Sequence, residues 1–431
     1  METSDVIILC ILLGCMATYI PVFMCLFFTA VLGFIIFTDL PLLLLAQTLF
    51  RSMDNFALVV VLFFILCGNI MTAGSIVEKL IKAANTMVSW LPGGLGMAGV
   101  IACGLFGAIS GSTVATVVAL GGFMIPAMIK NGYPEKYTMG LMTTSPNLGV
   151  IIPPSIGMIL YSMISNVSLE GLFMTGFLPG ILIILGVCGY SYIKFRNREE
   201  ITRLPVPTFG ETIAVLKECF WALMLPIIIF GGIFSGAFTA NEAAVVASVY
   251  AFVVELFIHK SIKFNQIKEI TVSSAVTSAT LLIIVAGATC FGRLLTLESI
   301  PGRITETVLA AIQSPMVFLF AMNALLLLVG MFMDIISATM ILGPVFLPML
   351  GAFDINWMHF GLIMTVNLAI GYCTPPMGVS LYITGAIANR NLIYVSKAVI
   401  PFIIIQMIVL GIITYMPDMV LWLPRFFGYL E

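Results

Sequence analysis

Charged side chains are scarce in this 431-residue chain. Asp, Glu, Lys and Arg together make up 9% of it, whereas hydrophobic residues make up 61%. A soluble globular protein carries about 25% charged residues, so the composition excludes that class. A membrane-spanning helix needs about 20 apolar residues, and this chain has room for roughly ten such helices. The sequence therefore predicts an all-α polytopic membrane protein embedded in a lipid bilayer.

Several groups that define enzymes and pumps are also missing. The chain has two histidines, and its nine cysteines stand singly in apolar runs, which favours packing over metal cages or disulfides. An intramembrane hydrolase needs a serine paired with a base, but we expect His259 and His359 near opposite membrane surfaces. There is no G-x-x-x-x-G-K-[ST] phosphate-binding loop of an ATP-driven pump. We therefore expect neither an enzyme nor a nucleic-acid partner.

The N-terminal sequence METSDVIILCILLG lacks the basic region and the small-residue cleavage site of a signal peptide. We expect the first helix to be retained.

One stretch, residues 104–159, combines apolar helical runs with polar breaks. It contains the cluster Ser110-Gly111-Ser112-Thr113, and a later apolar run is interrupted at Ser145-Pro146-Asn147 and at Pro153-Pro154-Ser155. Interruptions at membrane depth are tolerated only where the freed backbone groups are buried in protein or line a cavity. Interrupted helices at mid-membrane are typical of the ion and substrate sites of secondary transporters.

The only long polar loop, residues 194–218, divides the chain into two halves that share landmarks at an offset of about 222 residues. The corresponding pairs are Pro126 and Pro348, Pro153-Pro154 and Pro375-Pro376, Asn147-Leu148 and Asn367-Leu368, and the apolar spans 56–73 and 272–295. Interrupted segments at corresponding positions of two halves indicate a binding site at their interface. The alternative is that the shared landmarks of the two halves correspond by chance.

Each half is accordingly predicted to be one repeat with a re-entrant helical hairpin and a broken transmembrane helix. The predicted parts are a first repeat over 1–193 (hairpin about 93–130, broken helix about 134–166), a cytoplasmic linker over 194–218, and a second repeat over 219–431 (hairpin about 304–350, broken helix about 357–388).

The positions of Lys and Arg predict the orientation, because cytoplasmic loops are enriched in both. With residues 194–218 inside and the two hairpins entering from opposite sides, 14 of the 18 basic residues are cytoplasmic. Only Arg51, Arg293, Arg303 and Arg425 are then outside. If the hairpins instead crossed the whole membrane, the Lys and Arg residues would be divided between its two sides and the cytoplasmic excess would be lost. The two repeats are therefore predicted to be inverted, with both chain termini in the periplasm.

We expect the first hairpin and the first broken helix to supply a sodium site, since unwound backbone and half-helix ends coordinate such ions. An alternative is that the small residues serve helix packing, with hydroxyls bonded back to the helix. The predicted ligands are Ser110, Gly111, Ser112, Thr113, Ser145, Asn147 and Gly149.

The second hairpin offers Asp334, and an intramembrane carboxylate indicates a functional site by default. The alternative is a protonated acid or a cap on a half-helix. The predicted ligands of a second sodium site are Gly330, Asp334, Asn367, Gly371 and Thr374.

Substrate contacts are expected from four residues. Ser110 and Asp334 belong to the hairpins, and Ser155 is placed beside the first hairpin, where positive half-helix N-termini favour an anion. Arg293 would either attract an anion at the periplasmic mouth or snorkel to the interface. For two further acids, Glu242 and Glu255, a capping or structural role is favoured over transport.

Five segments together resemble the large membrane subunit of tripartite ATP-independent periplasmic transporters, over essentially the full chain. Two departures, Asn241 in place of the usual Thr and Val60-Val61 in place of a common Pro, lie away from the hairpin tips. The matching segments are Phe63 with 65–71, 108–115, 152–155, 238–244 and 371–378.

The resemblance implies a fold and a function. It implies an ion-transporter-superfamily-like elevator fold in the bacterial inner membrane and sodium-driven import of a small organic acid. The implied partners are a small four-helix membrane subunit, as a separate chain, and a soluble periplasmic substrate-binding protein. The branch that imports sialic acid is favoured. C4-dicarboxylates or other organic acids, and a sodium-coupled carrier without a binding protein, are the alternatives.

Two function classes remain open at this point, a channel and a carrier. Two inverted hairpins that face two broken helices suit alternating access better than a continuous pore. Each sodium ion moved inward gains about 2.3 kcal/mol per 100 mV of membrane potential. A monoanion that moves with two sodium ions carries net positive charge, so we predict at least two sodium sites, one per hairpin.

Overall fold

The computed structural model describes residues 3–18, 20–198 and 205–430. Within these ranges all regular secondary structure is helical. Seven of the described helices are long and apolar enough to cross a membrane, or up to nine if each of two bent pairs forms one span. The predicted all-α polytopic class is thus confirmed. Arg203, counted above as cytoplasmic, and the middle of the 194–218 linker lie outside the described residues.

The first part of the chain contains a helical hairpin and a broken helix where the sequence predicts them. The hairpin is α6–α8, with a π-helical turn at Val117–Gly121, and the broken helix is α9–α11, with a 3-10 turn at Ser145–Asn147. The helices are α1 (Thr3–Ala17), α2 (Val22–Phe37), α3 (Leu43–Met53), α4 (Ala57–Ala73), α5 (Ile76–Val88), α6 (Gly94–Ser110), α7 (Thr113–Thr116), α8 (Gly122–Lys130), α9 (Glu135–Thr144), α10 (Leu148–Ile151), α11 (Ile156–Ser165), α12 (Leu169–Thr175) and α13 (Phe177–Phe195).

The second part repeats this order after the polar linker. Its hairpin is α19–α20 and its broken helix is α21–α22. The helices are α14 (Phe209–Glu218), α15 (Phe220–Phe234), α16 (Ala240–Val253), which continues into a π-helical turn (Val254–Ile258), α17 (Phe264–Leu297), α18 (Ile300–Ala311), α19 (Pro315–Gly330), α20 (Ile335–Ala352), α21 (Trp357–Gly371), α22 (Val379–Ala388), α23 (Leu392–Tyr415) and α24 (Pro417–Phe426).

The boundary predicted for the second hairpin, about 304, differs from the structure. Residues 304–311 belong to α18, a separate helix. Ile312 and Ser314 have extended backbone, and Pro315 then occupies the first position of α19. Proline is favoured there because its missing N–H is one of the unpaired groups of a helix start. The sequence has no charged residue between Ala311 and Pro315 that would mark this boundary.

The hairpins pack onto the broken helices in a matched way. The first arm of each hairpin lies against the first half of a broken helix, α6 on α10 and α19 on α21. The second halves cross over, since α11 packs on α20 and α22 packs on the π-helical turn between α7 and α8. All residues of α21 from Met358 to Gly371 are buried. The core therefore sits where the two hairpins and the two broken helices meet.

Two helices connect the membrane-spanning helices to the hairpins. Helix α5 joins α4 to the first hairpin, and α18 joins α17 to the second. On α5, Ile76, Val77, Leu80 and Ile81 are buried, whereas Glu78 is exposed. This spacing gives an apolar stripe on one face of a helix, so α5 rests on the protein along that stripe.

A buried carboxylate fixes the start of α5. Glu255, in the π-helical turn after α16, has 0% exposure. Its Oε1 accepts hydrogen bonds from the backbone N–H groups of Ser75 and Ile76, each at 2.7 Å. Its Oε2 accepts from the hydroxyls of Ser75, at 3.2 Å, and Ser261. A helix start leaves N–H groups unpaired and attracts negative charge. These contacts agree with the structural role expected for Glu255.

The start of α18 is held in a comparable way. Arg303, in its first turn, donates from its guanidinium group to the carboxylate of Asp5 on α1, with Nε at 3.4 Å from Oδ2. Asp5 is 6% exposed. Each connecting helix is thus fixed at its first turn by an acidic residue from another helix.

Replacing Glu255 tests the first of these anchors. We expect Glu255→Ala to lower the free energy of unfolding by at least about 3 kcal/mol, because it leaves buried N–H groups without a partner. Thermal unfolding of the purified chain in detergent, followed by a thiol-reactive dye that reports the exposure of buried cysteines, measures the effect.

The matched control is Glu242→Ala. Glu242 accepts a hydrogen bond from the backbone N–H of Thr239 at 2.8 Å in an exposed capping box at the start of α16. This contact agrees with the capping role that the sequence favours for Glu242. Equal losses of thermal stability in the two variants would contradict the anchoring role of Glu255.

Candidate ion and substrate site

Each hairpin crosses its broken helix through a pair of glycines. A Cβ on Gly107, in α6, would lie 2.2 Å from the Cα of Gly149, in α10. A Cβ on Gly371, at the end of α21, would lie 2.6 Å from the Cα of Gly330, at the end of α19. Only glycine allows backbones to approach this closely. Three of these glycines, Gly149, Gly330 and Gly371, are predicted sodium-site residues, and the structure shows in addition that they let the backbones approach.

The crossings and the helix caps give the register of the two halves. Ser112 and Asp334 are both N-caps, of α7 and α20, and their numbers differ by the same 222 as those of Gly149 and Gly371. In this register Ser145 corresponds to Asn367. The sequence comparison paired Asn147 with Asn367, which is two residues out of this register.

The tip of the first hairpin is a tight turn of small residues. Gly111 has φ +60° and ends α6. Ser112 then caps α7, because its Oγ accepts from the N–H of Ala115 at 3.4 Å. The hydroxyl of Thr116 donates to the carbonyl oxygen of Ser112 at 2.7 Å and lies 3.3 Å from Ser110 Oγ. The predicted cluster is therefore assembled at one point, together with Thr116, which sequence reasoning missed.

This turn faces the break in α9–α11. A Cβ on Gly149 would lie 2.8 Å from Thr116 Oγ1 and 3.2 Å from the carbonyl oxygen of Ser112. A Cβ on Gly111 would lie 2.9 Å from the carbonyl oxygen of Pro154. Hydroxyl and carbonyl oxygens of the hairpin and of the broken helix thus converge around the glycine crossing.

Two of the hydroxyls here have no partner among the described residues. Thr113 Oγ1 and Ser145 Oγ are buried and accept or donate no hydrogen bond. A buried polar group left unpaired costs about 1–3 kcal/mol, and a bound ion or water is the usual explanation. Sodium, a hard cation, takes oxygen ligands, so the first hairpin fits the ion that the sequence predicts there.

The predicted ligand Asn147 makes different contacts. Its Nδ2 donates to Gln406 Oε1 on α23 at 3.0 Å, and Gln406 Nε2 donates to the carbonyl oxygen of Thr144 at 3.0 Å. Its Oδ1 lies 3.4 Å from the thiol of Cys373. Asn147 thus links the first broken helix to α23 and to the second broken helix. Gln406 was missed, although an amide in the middle of an apolar span is a visible signal.

At the second hairpin, Asp334 caps α20. Its Oδ2 accepts from the backbone N–H of Ser337 at 2.9 Å and its Oδ1 from the hydroxyl of Ser337 at 2.5 Å. This is the capping arrangement that the sequence left open as an alternative. A carboxylate has about four acceptor positions, so a half-buried Asp334 retains room for a cation.

The second broken helix carries the other two predicted ligands. Asn367 donates from Nδ2 to Asn323 Oδ1 and to the carbonyl oxygen of Ile363, at 3.2 Å, while its own Oδ1 is buried and has no partner among the described residues. Thr374 donates to the carbonyl oxygen of Ile370 at 2.8 Å and keeps its acceptor lone pairs. Asn323, which was missed, holds the Asn367 amide and donates to Thr414 at 3.1 Å.

The two remaining predicted residues lie in different places. Ser155 is fully buried, and its Oγ accepts from the N–H of Met158 at 3.4 Å at the start of α11. It directly follows Pro154, which contacts the tip of the first hairpin. Arg293 is exposed and lines a cavity between α17, α3, α11 and α20. None of the residues predicted as sodium ligands lines that cavity.

The chain is similar to known proteins along most of its length. The sequence model of the tripartite ATP-independent periplasmic transporter family, DctM component, matches residues 9–419. The chain is 35% identical to the C4-dicarboxylate TRAP transporter large permease protein DctM of Rhodobacter capsulatus, covering 99% of this chain and 100% of that one. It is 33% identical to the sialic acid TRAP transporter large permease protein SiaM of Vibrio cholerae, covering 97% and 98%.

A further relative is the isethionate TRAP transporter permease protein DctMQ of Oleidesulfovibrio alaskensis. It is 37% identical over 90% of this chain and 61% of that one. Among solved structures, the YdaH transporter of Alcanivorax borkumensis, described as having an unusual topology, aligns with a TM-score of 0.66 at 14% identity and covers 89% of this chain and 90% of that one. At that identity the likeness concerns the fold alone.

The glycine crossings lead to a testable prediction. We expect Gly371→Ala to destabilise the chain by about 3 kcal/mol or to prevent folding, because its Cβ would meet backbone atoms of Gly330 at 2.5 and 2.6 Å. Folded yield in detergent and thermal unfolding measure the effect.

Gly411→Ala, in α23, is the matched control, since a Cβ there meets no atom within 4 Å. Alanine is the better helix former by about 1 kcal/mol, so this variant should equal or exceed wild-type stability. A stable, fully folded Gly371→Ala chain would show that the crossing does not need glycine.

Proposed function

The chain belongs to the tripartite ATP-independent periplasmic transporter family as its large membrane component, and from this premise we propose that it imports a small organic anion by coupling to sodium ions. The family makes the protein a transporter and not an enzyme. A multi-pass chain of this family belongs in the bacterial inner membrane, and we propose that both termini face the periplasm. The coupling ion, the substrate and the direction of transport are proposals.

The observation that carries the sodium proposal is the set of buried oxygens without a partner at the two crossings. Ser145 Oγ and Asn367 Oδ1 occupy corresponding positions of the two halves, and each is buried without a hydrogen bond among the described residues. Thr113 Oγ1 adds a third such oxygen at the first hairpin. If these residues served helix packing alone, their unpaired oxygens would lower the stability of the folded chain, whereas a bound cation would pair with them.

We assign the two sites accordingly. The first consists of Thr113 and Ser145 with the tip residues Ser110 and Ser112, and the second of Asp334, Asn367 and Thr374. Asn147 is the least suited of the predicted ligands, because its amide already joins Gln406 and Cys373. Movement of a monoanion with two sodium ions is electrogenic and is driven inward by the membrane potential.

The substrate is proposed as a small organic anion. Relatives named for C4-dicarboxylates, sialic acid and isethionate are 35%, 33% and 37% identical to this chain. Overall similarity therefore gives no preference for sialic acid, which stays a prediction of the sequence. Ser155 is proposed to contact the substrate carboxylate, supported by its position at the start of α11 beside the first hairpin, where the helix dipole favours an anion.

We propose a small four-helix membrane subunit and a periplasmic substrate-binding protein as partners. The word tripartite in the family description supports three components. The DctMQ relative extends well beyond the region this chain matches, since the alignment covers 61% of it. That extra length is consistent with a second subunit that is fused there and is separate here.

The proposed transport movement is an elevator. The hairpins and broken helices form one interlocked body, and α5 and α18 connect it to α4 and α17. Glu255 and Asp5 fix the first turns of α5 and α18, whereas the rest of α5 packs along α6 and α18 packs on α20. Movement of that body would therefore be taken up within and at the ends of these two connecting helices. Gly93, with φ +78°, lies directly before α6, and residues 312–314 separate α18 from α19.

Sodium-specific stabilisation tests the proposal without a transport assay. A ligand that binds the folded state raises stability by RT ln(1 + [L]/Kd). We expect sodium chloride to raise the unfolding temperature of the purified chain above its value in potassium chloride at equal ionic strength. Ser145→Ala and Thr113→Val should each remove about half of that difference, because the second site remains, yet leave the stability in potassium unchanged or higher.

Thr144→Val is the matched control, because its buried hydroxyl already donates to the carbonyl oxygen of Gly140 at 2.8 Å. It should retain the sodium effect. Sodium-dependent uptake in vesicles should be lost in the same two variants and in Asp334→Asn, which keeps a capping oxygen but no charge. A wild-type chain that responds equally to sodium and potassium would refute the sodium coupling.

A further inference from the structure

A second polar site lies outside the two crossings. It is the cavity that contains Arg293, with a volume of about 350 Å³, hereafter the Arg293 cavity. Ligand pockets of this size are ordinary for small molecules, and they combine apolar walls with a few placed polar groups. The residues that line this cavity likewise form a polar group and an apolar group.

One wall is polar and belongs to α3, the turn after it, and α17. It carries Ser52, Asn55, Thr289, Arg293 and Thr296. The opposite wall is apolar and belongs to α11 and α20 of the interlocked body, with Met163, Ile164, Met340 and Pro344. The cavity therefore lies at the boundary between that body and the helices to which it is connected.

The charge in this cavity is uncompensated. Arg293 forms no ion pair or hydrogen bond within the described part of the chain, and no described Asp or Glu lines the cavity. A guanidinium group presents five N–H donors in a fork that matches a carboxylate or a sulfonate. One organic anion group is what this wall can bind.

Three hydroxyls of the polar wall already donate their protons within their own helices. The hydroxyls of Ser52, Thr289 and Thr296 each donate to a carbonyl oxygen of their own helix, at 2.7, 2.8 and 2.9 Å. Their remaining lone pairs can receive hydrogen bonds from a ligand. Asn55 uses its Oδ1 to accept from the N–H of Ala57 at 2.9 Å, and its Nδ2 remains a donor beside Arg293.

From these two observations we propose that the Arg293 cavity selects a small monoanion that carries hydroxyl groups. Arg293 and Asn55 bind the anionic group, the α17 hydroxyls of Thr289 and Thr296 accept from the hydroxyls of the ligand, and the carbon skeleton lies against the apolar wall, while Ser52 lies at the edge of this set and serves as the reporter position. A second carboxylate would face acceptor oxygens and no cation, so it is disfavoured. This specificity rests on the proposed function, the import of a small organic anion, and adds the cavity as a station for that anion outside the two crossings.

Chemical modification in the cavity tests the proposal. In the chain with Ser52→Cys, purified in detergent, the peptide containing residue 52 is followed by mass spectrometry, so that the native cysteines do not interfere. We expect an anionic sulfonatoethyl methanethiosulfonate to react several-fold faster than its cationic trimethylammonium analogue. Arg293→Gln should reverse or abolish that preference, and Arg293→Lys should retain part of it.

Competition by anions then tests selectivity. Isethionate, with one sulfonate and one hydroxyl, and sialic acid should slow the modification of residue 52, whereas succinate, with two carboxylates and no hydroxyl, should do so at least about tenfold less effectively. Ser235→Cys, in an exposed turn before α16, is the matched control and should show neither charge preference nor protection. Equal protection by succinate, protection by none of the three anions, or a charge preference that survives Arg293→Gln would overturn the proposal.

Uptake separates this inference from the proposed function. If wild-type vesicles show sodium-driven uptake while the Ser52→Cys assay shows no anion selectivity, the selectivity of the cavity is wrong and the coupling stands. If residue 52 is protected as described but sodium has no effect on uptake, the coupling is wrong and the cavity is an anion site of another kind.

Discussion

The need to satisfy backbone groups at membrane depth governs this structure. A helix broken inside a bilayer frees N–H and C=O groups that no water can reach, so its break must be enclosed by protein. Here each break is enclosed by a hairpin, and the enclosure depends on backbone contact between glycines, Gly107 with Gly149 and Gly330 with Gly371. The same contact that closes the fold also gathers oxygen atoms in a water-poor place, where a cation is the natural complement.

The two crossings share geometry but differ in chemistry. Ser112 caps the first hairpin with a hydroxyl, and Asp334 caps the second with a carboxylate. On the broken helices, Ser145 and Asn367 each present one buried oxygen that has no partner in the described part of the chain. Neutral oxygens and a carboxylate give a cation different affinities. With the tip of the first hairpin assigned to a cation, the positive start of α11 at Ser155 is the helix end that is left for an anion.

The sequence is sufficient to predict the class of protein and both hairpins, but not the contacts between distant parts of the chain. The scarcity of charge predicts the class, and the prolines and small residues predict both hairpins, because these signals are local. The contacts that hold Glu255 against Ser75, or Asn147 against Gln406, join residues about 180 and 260 positions apart, and no local pattern reports them. The register error at Asn147 has a different origin. Two asparagines look alike in sequence, but the offset of 222 between the proline pairs already makes Ser145 the counterpart of Asn367, and the Gly149 and Gly371 crossings agree with it.

We propose that the buried oxygens at the two crossings are sodium ligands. Equilibrium binding of radioactive sodium to the purified chain, with potassium as competitor, tests this assignment most directly. We expect saturable, sodium-selective binding of about two ions per chain, falling to about one in Ser145→Ala and in Asp334→Asn. Binding that is absent, that potassium displaces as well as sodium does, or that both variants leave at the wild-type number would contradict it.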